Sequence, residues 1–113
     1  MADTVFRKEQ SSVLVIEADH TAFSIALSLK AADTTGDGKV SGDEMALMMF
    51  DKLPKNLQMS MKTKCSVKDT ADLEDYIQTM QKAARVAVNM DILQEVAVPD
   101  VPHLCRAATK LGL

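Results

Sequence analysis

The 113-residue chain reads as all-α: a helix–loop–helix, a second helical hairpin, and a short β contact between the two connecting loops. Three observations lead there. Apolar residues recur at helical spacing up to residue 32, again after residue 43, then from residue 73 and from residue 104. Residues 33–44 interrupt that period with three glycines and short polar side chains, which disfavour helix. Val96 and Val98 alternate like a short strand inside the second connector.

A chain of this length forms one domain with a modest core. Apolar residues make up 47% and charged residues 26%, which fits a folded globular protein rather than a solvated tail. The net charge of −3 gives no basic footprint for nucleic acid. Val13–Ile16 is too short an apolar run for a signal core or a membrane span, so a cytoplasmic chain without a membrane span is expected. The two cysteines, Cys65 and Cys105, make no metal-binding spacing; a bridge between them is one reading, and two thiols in a reducing compartment the preferred one.

Residues 1–11 have no period and read as a flexible tail. Val15, Ala18, Ala22, Ile25, Leu29 and Ala32 share one helical stripe, which predicts a single helix from about Ser12 to Ala32; the alternative is a helix that Asp19 caps near His20. After the polar loop, Met45, Met48 and Met49 predict a helix ending near Lys52–Leu53, because Pro54 disfavours helix at the residue before it. Residues 54–68 read as a linker, solvated or making a basic contact through Lys55, Lys62, Lys64 and Lys68. Asp69 is a candidate cap for the most regular helix, with Leu73, Tyr76, Ile77, Met80, Ala84 and Ala87 on one face. Asp100 and Pro102 mark the last helix, which buries Leu104, Ala108 and Leu111 and stops at Gly112.

Residues 33–44 carry the chemistry. Calcium takes six to eight oxygens in flexible geometry. Asp33 supplies a carboxylate at position 1, Thr35 a hydroxyl at 3, Asp37 a carboxylate at 5, Lys39 its backbone carbonyl at 7, Ser41 a hydroxyl or a bridged water at 9, and Glu44 a carboxylate at 12. Gly38 at position 6 permits the sharp turn, and Val40 at position 8 points to the core. Over residues ~22–52 the chain resembles the EF-hand family of calmodulin-like proteins. Thr35 stands where Asp or Asn is usual, leaving three acidic ligands and weaker binding, and Ala32 stands where Phe is common. Dockerin loops read similarly, but they come in pairs and lack a long entering helix.

The resemblance implies one EF-hand-like domain over 12–113, with the working hand at 12–53, the linker at 54–68 and the hairpin at 69–113. EF-hands pair, so residues 91–102 are expected to be a degenerate hand with Val98 against Val40; a helical cap and a homodimer are the alternatives. The implied function is calcium binding at one site, as a sensor or regulatory subunit that offers a Met-rich surface to an amphipathic partner helix. The rival readings are a calcium-independent light-chain-like subunit and a calcium buffer. Met49 with Phe50 is expected at the edge of the groove and Met45 in the core, or the methionines simply fill the core. His20 and His103 stand alone, and no nucleophile–base pair suggests an enzyme.

Overall fold

The computed structural model describes residues 4–7, 20–67 and 69–112. The elements run β1 Thr4–Arg7, α1 His20–Ala32, β2 Lys39–Val40, α2 Gly42–Lys52, α3 Lys55–Val67, α4 Ala71–Asn89, β3 Glu95–Val98 and α5 Val101–Lys110. The molecule is mostly helical, with a small three-stranded sheet in the order β1-β3-β2. Among the described residues no helix is long and apolar enough to cross a membrane.

α4 is the backbone of the core. Its stripe of Leu73, Ile77, Met80, Ala84 and Ala87 is buried as the helical period predicts, and Ala83 and Val88 join it. α1 lies mainly against α4. Both helices bury alanines, Ala22 and Ala26 on α1 and Ala83, Ala84 and Ala87 on α4, and small side chains let helix axes approach closely. The Tyr76 hydroxyl donates to the Met49 carbonyl at 2.8 Å, which ties α4 to α2. Burial and the Asp51 charge push that phenol's pKa up, so it remains a donor.

α2 ends where Pro54 requires. Leu53 is extended, with φ −61° and ψ 137°, and the Gln58 amide donates to the freed carbonyls of Phe50 (2.8 Å) and Leu53 (3.1 Å). α5 starts as expected: the Asp100 carboxylate accepts from the His103 backbone N–H at 2.8 Å, with Pro102 in the first turn.

Several expectations are corrected. The tail is not loose throughout, since Thr4–Arg7 forms β1, antiparallel to β3. Phe6 packs under the Arg85 guanidinium at 5.8 Å and Arg7 pairs with Glu95, so a short strand gains a hydrophobic and a charged anchor. The helix predicted from Ser12 is present from His20; its first part, with Val15 and Ala18, lies outside the described residues. The linker at 54–68 is largely the helix α3. Its period is faint because Met61 is its one fully buried side chain among the described residues, with Leu57 and Cys65 half-buried. Cys65 and Cys105 are not thiols but a disulfide joining α3 to α5. Thr70, not Asp69, occupies the cap position of α4, and Leu111 is 49% exposed because α5 ends before it.

The degenerate hand is also corrected. Val40 pairs with Val96 in a parallel register, and Val98 pairs with Thr4 of β1 instead. Val96 and Val98 point to one face and both are buried, so β3 is the central strand of a sheet rather than a second loop's copy of Val40. The short β contact expected between two loops is therefore one half of a three-stranded sheet.

Candidate metal centre

The loop between α1 and α2 is shaped by its own carboxylates. Asp33 closes its first half: Oδ1 accepts from the Gly36 N–H (3.1 Å) and the Thr35 hydroxyl (3.1 Å), and Oδ2 accepts from the Gly38 N–H (2.8 Å). Such turns need left-handed backbone, which Gly36 (φ 71°) and Gly38 (φ 78°) provide without steric cost. Asp37 turns back onto the same cluster. Its carboxylate accepts from the Lys39 N–H at 2.9 Å, and that bond, then the Thr35 hydroxyl and a contact with Asp33, hold its pKa below the ordinary value. Asp33, Thr35 and Asp37, three predicted ligands, thus converge on one side of the turn.

Lys39 is placed by the sheet. The Gly38 carbonyl faces β3 and accepts from Gln94 N–H (2.7 Å) and Glu95 N–H (3.3 Å). Successive carbonyls of an extended chain alternate, so the Lys39 carbonyl points away from β3.

Ser41 and Glu44 form a capping box at the start of α2. The Ser41 hydroxyl accepts from the Glu44 N–H (3.1 Å), and Glu44 Oε1 accepts from the Ser41 N–H (3.0 Å). Glu44 Oε2 reaches back to the entrance of the loop and accepts from the Thr34 N–H (3.1 Å) and the Thr34 hydroxyl (2.8 Å). One carboxylate therefore ties the exit of the loop to Thr34 at its entrance. The Ser41 N–H, then the Thr34 hydroxyl, lower the Glu44 pKa.

Among the described residues no three His, Cys, Asp or Glu side chains are gathered into a ready cluster. Glu44 is bonded to Thr34 and Ser41, and the other half of the candidate ligand set is hydroxyl and backbone oxygen. The donor set nonetheless fits a hard cation. All six residues supply oxygen, and an ionised carboxylate has about four acceptor positions, so Glu44 retains capacity beyond its three bonds.

Three features were not read from the sequence. Thr34 holds Glu44 at the mouth of the loop, and no spacing signals that role. The Ser41–Glu44 capping box was legible as S-x-x-E. His103, which looked isolated, lies 3.1 Å from Asp43 and joins α5 to the first turn of α2; the side chain of His20 lies outside the described residues. Beside Glu44 a groove of about 400 Å³ runs between α1 and α2, lined by Ser28, Ala31, Leu47, Met48 and Asp51. Its edge is Leu47, 56% exposed, and Met48, not Met49 and Phe50, which are buried with Met45.

The pH response follows from these bonds. Both carboxylates are held below their ordinary values of 3.8 (Asp37) and 4.5 (Glu44), so the loop contacts they make are intact above that range and are lost as pH falls through the lowered values. The amide chemical shifts of Thr34, Gly38, Lys39 and Ser41 should be flat from pH 8 to about 5.5 and move only in the carboxylate range. NMR spectra across pH check this, and a transition between pH 7 and 6 would contradict these bonds.

No protein-family model, no curated protein and no solved structure matches this chain.

Proposed function

We propose that residues 33–44 are an EF-hand calcium loop, with Asp33, Thr35, Asp37, Lys39, Ser41 and Glu44 as its ligands, and that the chain is a calcium-responsive binding protein rather than an enzyme. The observation that carries the reading is the convergence of Asp33, Thr35 and Asp37 around the Gly38 turn. With three carboxylates, binding belongs to the weaker part of the EF-hand range, about 10⁻⁵–10⁻³ M. The Cys65–Cys105 bridge favours an oxidising compartment over the cytoplasm.

The regulatory reading rests on Glu44. It borders both the loop and the Leu47–Met48 groove, so a carboxylate drawn from Thr34 toward a cation changes the floor of that groove. An amphipathic helix of a partner protein is the occupant proposed for it. A calcium titration in the presence of an apolar dye separates the possibilities. Heat of binding with a rise in dye fluorescence supports the sensor. Heat without the rise makes the chain a buffer. A partner retained equally with calcium and with chelator makes it a light-chain-like subunit.

A further inference from the structure

A calcium loop of this kind normally leans on a second loop, and residues 91–102 are not one. The loop's second half is nevertheless held, through the pairing of β2 with β3 and through the peptide group at its start. The carbonyl of Gly38 accepts from Gln94 N–H at 2.7 Å and from Glu95 N–H at 3.3 Å. The other end of the same planar group, the N–H of Lys39, donates to Asp37 Oδ1 at 2.9 Å. Hydrogen bonds in series polarise and orient one another, so the donors of Gln94 and Glu95, at the start of β3, act on a carboxylate they do not touch. The Gln94 side chain closes the same spot from above: a Cβ on Gly38 would meet its Cγ at 3.3 Å. β3 is itself braced on its far edge by β1, with Arg7 on Glu95.

We propose that β3 is the loop's partner in place of a second hand, and that Gln94 is a positioning residue whose backbone N–H orients Asp37 through the Gly38–Lys39 peptide. The inference rests on the calcium reading above and assigns to that site its support. It follows that the loop works within one copy of the chain, without the homodimer that a lone hand suggests. The donor in question belongs to the backbone, so side-chain and backbone changes at residue 94 have different effects. Gln94→Ala keeps the N–H, whereas Gln94→Pro deletes it.

The test compares the full chain with these two variants, using calcium itself as the probe. Gln94→Ala should bind calcium within about threefold of the parent, and Gln94→Pro about tenfold more weakly, a factor that corresponds to ~1.4 kcal/mol and to one lost hydrogen bond. In calcium-free protein the Lys39 amide should exchange faster in Gln94→Pro than in Gln94→Ala, while amides in α4 are unchanged. Equal affinities and equal Lys39 exchange in the two variants overturn the proposal. If Gln94→Pro does not fold, the parent decides: the Gln94 amide resonance should shift along the same saturation curve as that of Lys39, and a Gln94 amide that stays still as calcium fills the loop overturns the proposal. A parent that binds no calcium sinks the functional reading first, whatever the variants do.

Discussion

Glu44→Gln is expected to weaken calcium binding by about 10–100-fold while leaving the protein folded. The substitution keeps the shape and one carbonyl acceptor, which can still serve either Ser41 or Thr34. It removes the negative charge and turns one acceptor into a donor, so bidentate ligation of a cation is lost. A charge-assisted contact is worth about 1.5–3 kcal/mol, and each 1.4 kcal/mol is a factor of ten. The same change leaves a donor facing Thr34 N–H or Ser41 N–H, both in solvent-exposed surroundings, so its cost to folding should stay near 1 kcal/mol. Calorimetry and a thermal melt separate the two effects. Unchanged calcium affinity would refute Glu44 as a ligand.

Replacing both Cys65 and Cys105 by Ser is expected to be the largest perturbation of stability. The bridge closes a loop of 40 residues, for which chain entropy gives about 4 kcal/mol, and measured bridges commonly give 2–4 kcal/mol. For 113 residues that lowers Tm by roughly 10–15 °C. The loss should be local first. α3 is fastened by the buried Met61, by Gln58 on the end of α2, by the Lys64–Asp72 ion pair at 3.0 Å and by the bridge. The ion pair is exposed on the Asp72 side and so adds little. Hydrogen exchange should therefore rise in α3 before it rises in α4. A thermal melt insensitive to dithiothreitol, together with two titratable thiols in the native protein, would show that the bridge is not made.

What was legible in the sequence was what is local. The glycines, acids and hydroxyls of 33–44 dictate a turn through contacts at most a few residues apart, and the structure assembles Asp33, Thr35 and Asp37 accordingly. α4 buries a long regular stripe, and α5 is announced by Asp100 and Pro102, so both follow from period and capping. What was missed depends on partners far along the chain. Thr4–Arg7 is a strand because β3, some 90 positions later, offers it an edge; four residues without that edge carry no signal of their own. α3 lacks a stripe because a covalent bond does part of what burial does elsewhere. Val98 was matched to Val40 by counting positions in a second loop, but register is set by which face of the strand is buried and by where the chain enters the sheet, and Val96 satisfies both. Met49 and Phe50 were placed at a groove edge by their position in the exiting helix, yet both are buried where α2 packs on β3, α1 and α5, and the exposed side falls to Leu47 and Met48.

The central claim is that one loop, braced by β3, holds one calcium ion. Isothermal titration of the native, disulfide-bonded chain with calcium, up to ~10 mM, addresses it most directly. The account predicts a single site per chain with Kd in the range of about 10⁻⁵–10⁻³ M, insensitive to protein concentration. Absence of binding heat together with unmoved Gly38 and Lys39 amide resonances, or a stoichiometry of one calcium per two chains, would contradict it.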